Sequence, residues 1–400
     1  MGKSALVCGG SIGGLFAAAA LLRAGWHVDV FERVDVPLSG RGAGIVTHAE
    51  LIDALKSVGA TTDALGVEVT ERVAYDIIGA RVHAIDYRQI VTSWDRMHQI
   101  LRALIPDDCY HLGKSATGYS DNGHSVTVQF DDGSTRSGDL IVGADGFRSA
   151  IRAQMLPAIV PEYSGYLVWR ALAAEADLSD AVRADIFKTF GYFLPDSTQI
   201  IGYPIAGPDN DLRPGHLRYN FVWYSRADAK QLDNMLTDAS GRRYDFSIPP
   251  PRVREDVIER MFSDAKSCLP TPFNDILAMS ERPFFTPIYD HHSPQMADGR
   301  VVLVGDAACV ARPHVGMGVT KAAQDALKLA KAVNAADLFT GLAEFSASRV
   351  AGSRAAFETS RWLGSLVFGP KKGSNPDGRH HPHLMDLMRE TAVLPKALRS

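Results

Sequence analysis

The chain has 400 residues and a net charge of −4, from 42 Lys+Arg against 46 Asp+Glu, with 46% hydrophobic and 22% charged residues. That composition buries a large core, and the length suits two or three domains of about 150 residues; global disorder and collagen-like or repeat architectures are excluded. The slight acidity leaves no basic field for a phosphate backbone, which excludes a nucleic-acid binder, and no run of about 18 apolar residues marks a membrane span.

Residues Ser4 to Cys8 read as a short apolar strand. A Gly-rich stretch, Gly9 to Gly14, follows, and Leu15 to Ala24 reads as an Ala-rich helix ended by Gly25. The apolar stretch from Leu15 to Leu22 is short, and no small-residue cleavage site follows it, so no signal peptide is expected. Residues His27 to Glu32 form a second strand. Strand, glycine turn, helix and strand together open a dinucleotide-binding fold.

Residues 72–91 are strand-like, Asp95 to Ile105 helical, and Ser125 to Phe130 alternate as a strand before the turn Asp131 to Ser134. Asp139 to Gly143 is a buried strand ending in Ala144-Asp145-Gly146. Residues 163–290 are richer in aromatics, and the runs Tyr166–Trp169, Gln199–Tyr203 and Leu217–Trp223 read as strands of a second sheet. A helix is expected over 250–265, after three prolines. Arg300 to Val304 returns to buried-strand character, and Val319 to Val333 has helical spacing. Leu342 to Leu366 reads as one or two helices, and the tail from Gly369 as loosely held. The expected fold class is α/β: a Rossmann-like dinucleotide-binding domain (1–71, 92–162 and 290–335), an inserted, mainly β domain (72–91 and 163–289), and C-terminal helices and tail (336–400).

The four cysteines, Cys8, Cys109, Cys268 and Cys309, show no Cys-x-x-Cys spacing. Reduced thiols in a cytoplasmic enzyme fit better than disulfides or a zinc site. The trio His380, His381 and His383 has no acidic or Cys partners and reads as solvated tail, so no metal site is assigned.

Three stretches carry chemistry. In the first, Gly9 permits a tight turn, Ser11 stands where the fingerprint has a second glycine and offers a hydroxyl to a phosphate oxygen, Gly14 lets the helix pack against the strand, and the helix start favours phosphate. Glu32, 23 residues after Gly9, ends the second strand where a carboxylate accepts from ribose hydroxyls, with Arg33 beside it. In the second, a strand delivers Asp145 and Gly146 onto a turn. In the third, Gly305-Asp306 is followed by Pro313-His314-Val315-Gly316-Met317-Gly318, a loop that runs into a helix and aims N–H groups at an acceptor.

These motifs, in this order, resemble those of the FAD-dependent aromatic hydroxylases, the single-component flavoprotein monooxygenases. Arg41 to Ile45, including Gly44, also matches a family loop that passes the flavin ring. A narrower likeness, to 2,6-dihydroxypyridine 3-hydroxylase-like pyridine monooxygenases, rests on Gly9–Ile12, Pro37–Gly40, Gly44–Val46, Thr92–Asp95, Gly165-Tyr166, Trp169-Arg170, Tyr203–Ile205 and Arg312–His314. The chain departs from the family at Cys309, where His is common, at Thr320, where Asn is common, and at Trp94, where a helix-start Arg is common, with Arg96 two residues on.

The resemblance implies FAD as cofactor, NADH or NADPH as transient electron donor, O2 as co-substrate, and hydroxylation of a hydroxylated pyridine. Loss of a ring side chain, as for 6-hydroxy-3-succinoylpyridine, stays open. It also implies a site of Gly9, Ser11, Ile12, Gly13, Gly14, Glu32, Arg33, Arg41, Gly44, Asp145, Asp306, Pro313, Gly316 and Gly318 for FAD. His48 and His314 are the candidate bases, since an imidazole titrates near 6.5, and Tyr203 a residue to orient or deprotonate the substrate hydroxyl. A hydroxybenzoate or phenol hydroxylase and a flavin oxidase or reductase are the alternatives. The tryptophans include no Trp-x-Trp pair of a halogenase. A homodimer is possible, with no surface marked for it.

Overall fold

Four largely apolar runs and one two-residue strand, far apart in sequence, meet side by side in one sheet. A computed structural model of the chain describes residues 3–38, 44–195, 198–369 and 383–395. In it, Val301–Leu303, Leu140–Gly143, Ser4–Cys8, His27–Phe31 and Tyr110–His111 lie in that order and run parallel, with Ala297–Asp298 antiparallel at one edge. Strands covered on both faces have no polar side to alternate with, which is why the runs read as continuously apolar. The helix Ile12–Arg23 buries Ala17 to Ala20 and packs against the helix Gly318–Ala332. Both therefore start beside the C-terminal strand ends, where ligands bind in open α/β sheets. A three-stranded antiparallel sheet (116–121, 126–130, 135–138) completes this half.

The larger sheet has nine strands, in the order Cys309–Val310, Phe284–His292, Glu162–Ala174, Arg218–Arg226, Gln199–Ile205, Phe190–Phe193, Val67–Tyr75, Arg81–Ser93 and Gly44–Val46. It takes in residues 44–46 and 67–71, upstream of the expected residue 72, because Gly44 to Val46 pairs with Ser93 to Val91 and Val67 with Val91. One face packs on the helices Glu255–Cys268 and Thr271–Ala278 through Trp169, Phe221, Met261 and Phe273. The other face carries Tyr166, Tyr203 and Tyr224 and meets the C-terminal helices through Leu363, Val367, Leu387 and Met388.

At the C-terminus one expectation holds and one is corrected. Residues Leu338–Phe368 form a single helix of 31 residues. The tail is also docked where it is described: Leu384, Leu387 and Met388, at helical spacing on the helix Leu384–Glu390, are buried against the larger sheet. The buried Arg72 clamps this segment, its Nη1 donating to the carbonyls of Met388 (2.9 Å) and Thr391 (2.6 Å) and its Nη2 to that of Ala392 (3.3 Å). His380 and His381 lie outside the described residues.

Candidate active site

The glycine loop is shaped by close backbone approach. Gly9 has φ +115°, and a Cβ there would stand 2.2 Å from the Ala144 carbonyl oxygen. A Cβ on Gly14 would stand 1.8 Å from the Gly9 oxygen. Gly13 faces Gly305 and Ala322 at van der Waals range, so the loop and the late Gly-Asp turn touch through glycine. Ser11 is the N-cap of the first helix, yet its side chain makes no capping bond, and no acid occupies the first turn. That leaves a hydroxyl and a positive helix end facing the cavity. Glu32 is buried, with Oε2 accepting from the Gly10 N–H (2.9 Å) and Oε1 from that of Val34 (3.0 Å). Each oxygen keeps room for a second donor.

Two cavities flank this loop. One, of about 290 Å³, is lined by Glu32, Arg33, Lys114, Asp145 and Arg148. The other, of about 500 Å³, reaches from Ser11 to Gly13 across Gly44, Pro313, Gly316 and Gly318 to the larger sheet. They share Ser11, Trp94, Ala144, Gly146, Phe147 and Asp306, so together they form one bent trough. Arg96 turns away from it, donating from Nη2 to the Asp63 carbonyl (2.8 Å). Arg41 lies outside the described residues.

Asp145 accepts from the Ala150 N–H through Oδ2 (2.7 Å), whereas its buried Oδ1 has no partner. Burial pushes the carboxyl of Asp145 up, and likewise that of Asp306. The turn bearing Asp306 is held by a buried ion network. Gly305 donates its N–H to Asp325 Oδ2 (2.9 Å), Lys321 Nζ donates to the Gly305 carbonyl (2.7 Å), and Arg349 Nε donates to Asp325 Oδ1 (2.6 Å). Gly318 opens the helix Gly318–Ala332, with no acid in its first turn and open space where its Cβ would point.

These features fit an extended dinucleotide. Two helix N-termini, an orphaned buried carboxylate oxygen and glycine surfaces that a Cβ would fill all face the trough. Gly44 too stands where a Cβ would be 2.6 Å from the Tyr203 ring.

The candidate bases are placed differently from expectation. His314 is fully buried, its Nε2 3.0 Å from the Tyr166 hydroxyl and its Nδ1 3.1 Å from Gln199 Oε1, and its ring stacks on Tyr224 at 4.4 Å. Both nitrogens are taken, and its ring does not line the trough. His48 is buried with Nδ1 2.9 Å from Thr320 Oγ1, also outside the lining. Tyr203 does line the cavity, stacked on Phe190 at 4.9 Å. Burial pushes its phenol well up, so at neutral pH its hydroxyl is held protonated, as a donor. Sequence reasoning passed over Arg170, Tyr224, Phe147 and the tail residues Thr391 and Ala392, which also line the cavity. Arg170 was legible as part of Trp169-Arg170, but without a direction.

Burial lowers His48 to about 4, and His291 and His314 to about 3, with Arg72, Arg152 and Arg312 respectively adding to the effect. An unfolded histidine titrates near 6.5, so below that pH the unfolded chain binds more protons. Stability is therefore complete above about pH 6.5 and falls as pH drops towards 3–4. We expect His314→Gln to flatten this slope by about one proton, read as the difference in urea unfolding free energy between about pH 7 and about pH 5; an unchanged slope refutes the assignment.

A Rossmann-like sheet whose glycine loop and late Gly-Asp turn frame one dinucleotide trough, closed by an apolar cavity on a second sheet, defines a flavin-dependent enzyme. The comparisons agree. Residues 276–344 match the family described as FAD binding domain, and residues 163–290 the one described as FAD binding domain-like. The 2,6-dihydroxypyridine 3-monooxygenase of Paenarthrobacter nicotinovorans is 36% identical over 81% of each chain. The 6-hydroxynicotinate 3-monooxygenase of Pseudomonas fluorescens is 26% identical, also over 81% of each. The solved 2,6-dihydroxypyridine-3-hydroxylase from Arthrobacter nicotinovorans superposes with a TM-score of 0.86 at 33% identity, covering 94% of this chain and 96% of that one. The chain belongs to the FAD-binding monooxygenase family and is an aromatic hydroxylase, with FAD as cofactor and NAD(P)H and O2 as co-substrates. Among the described residues no helix is long and apolar enough to cross a membrane.

Proposed function

We propose that the enzyme hydroxylates a hydroxylated pyridine, as in breakdown of N-heteroaromatic compounds. The observation that carries this is the apolar cavity walled by Tyr203, Tyr224, Phe190 and Ile201 at the glycine-loop end of the larger sheet, in a chain 36% identical to a dihydroxypyridine monooxygenase. In this reading the adenosine end of FAD lies along Glu32 and Arg33, and its pyrophosphate on Gly9, Ser11, Ile12, Gly13 and Gly14. Asp145 and Asp306 take its hydroxyls, and its ring sits by Gly44, Pro313, Gly316 and Gly318. Bound there, the flavin supplies oxygen activation. The chain's own residues exclude water and orient the ring, with the protonated Tyr203 donating to the substrate's oxygen. The first sheet and the helices packed on it form the cofactor half, and the larger sheet the substrate half. Four unpaired cysteines suit a cytoplasmic setting.

The test is NADH and NADPH consumption by the purified yellow protein with hydroxypyridines and hydroxybenzoates added singly, and products identified by mass. A hydroxypyridine that speeds oxidation and yields a product one oxygen heavier supports the reading, and loss of a side chain in that product identifies oxidative displacement. Response to benzoates alone overturns the pyridine assignment.

A further inference from the structure

On the strand Glu162–Ala174, Leu167, Trp169 and Ala171 belong to the core on the helix-covered face, while Tyr166 and Val168 belong to the core on the other. Side chains alternate along a strand, so Arg170 follows Tyr166 and Val168 onto the second face. A guanidinium thus occupies an apolar position of the pattern, between Val222 and Phe284 on the flanking strands. It lines the cavity beside Tyr203 and Tyr224 and makes no hydrogen bond or ion pair among the described residues. The other charged residues of that lining are accounted for. Arg312 is paired with Asp290, Nε to Oδ2 at 2.6 Å, and Asp306 stands at the junction of the two cavities.

An uncompensated cation on an apolar wall is costly unless something anionic meets it. None of the three candidate bases meets the substrate space as a base among the described residues, because neither His48 nor His314 lines the cavity and Tyr203 is protonated. One arrangement answers both facts. We propose that Arg170 is the specificity residue that binds the substrate as a ring anion, so that the activating ionisation of its hydroxyl, or a ring carboxylate, is selected on binding. The planar fork of Arg matches a carboxylate or a pair of ring oxygens with two parallel donors. Tyr203 and Tyr224 add donors from the adjoining strands, and their phenols feel the same cation, which offsets part of the effect of burial on each. The inference rests on the proposed aromatic substrate.

Calorimetric titration of the oxidised holoenzyme with 2,6-dihydroxypyridine, at pH values spanning its first ionisation, tests it. Wild type is expected to bind more tightly as the ligand ionises. Arg170→Gln is expected to lose that rise and to bind the anion about 100-fold more weakly, with the neutral ligand changed less than about threefold. Arg170→Lys, which keeps the charge without the fork, is expected to fall between them. In turnover the loss appears in KM more than in kcat. Equal weakening of neutral and ionised ligand, or a retained pH rise in Arg170→Gln, overturns the proposal while leaving the hydroxylase reading intact. If 4-hydroxybenzoate binds instead of the pyridine with the same dependence on Arg170, the pyridine assignment falls and Arg170 stands. If no ring compound binds wild type, both fall.

Discussion

Gly14→Ala is expected to give a protein that purifies without its yellow colour. The added Cβ would stand 1.8 Å from the Gly9 carbonyl oxygen, and both partners are backbone. Neither can rotate aside, so the turn must open. Gly9 cannot yield cheaply either, since it holds φ +115° against Ala144 and its N–H donates to the Phe31 carbonyl at 2.7 Å. Moving the loop by the ångström or more that a Cβ needs displaces the N-terminal amides of the helix Ile12–Arg23, and those amides are what bind a pyrophosphate. We expect FAD retention, measured as the ratio of flavin to protein absorbance after gel filtration, to fall at least about 100-fold in terms of affinity. The far-ultraviolet circular dichroism should be little changed. A variant that stays yellow at wild-type stoichiometry would show that the loop does not carry the cofactor.

That loop was readable from sequence because all its determinants are local. A strand, a turn with glycines at set positions, a helix and a terminal acid lie within the span Ser4 to Glu32. The Gly305-Asp306 turn was readable for the same reason. What sequence did not disclose was direction. His48 and His314 have the right chemistry and stand in the right motifs, but one Nδ1 faces Thr320 and the other ring is closed between Tyr166 and Gln199. These partners are 272, 148 and 115 residues away, so no local pattern predicts them. The tail fails in the same way. Its polar beginning suggested a loosely held end, yet the helix Leu384–Glu390 carries three apolar residues on one side and meets a guanidinium more than 300 residues upstream. Arg72 in turn sits inside a strand whose charges, read alone, look like a solvated face. The docked tail matters to function because Thr391 and Ala392 close part of the cavity wall, and Ala392 donates its N–H to the His314 carbonyl at 2.8 Å.

The other large effect is expected at Asp325, a residue that touches neither cavity. Its side chain is fully buried and answers two cations that are themselves almost fully buried, Arg349 and Lys321. Asp325→Ala removes the carboxylate that pairs with both cations. Breaking a buried pair by deleting one partner costs about 3–5 kcal/mol, because the remaining charge keeps its desolvation penalty and loses its compensation. Here two cations and the Gly305 N–H are left. Set against a typical total of about 5–15 kcal/mol, that is a large fraction of the stability. The expected reading is a melting temperature lower by roughly 5 °C or more and a protein that loses FAD on dilution. Replacing all three charges with apolar residues of similar size (Asp325→Leu, Lys321→Met, Arg349→Met) separates two consequences of the network. Such replacements are often neutral for folding, so stability should largely return. FAD retention should not, because the Gly305 N–H and carbonyl would have lost the Asp325 and Lys321 groups that fix the turn bearing Asp306. A triple variant that regains both would show the network to be structural alone, and a single variant that melts with wild type would show that the buried charges are not stabilised in the way their geometry implies.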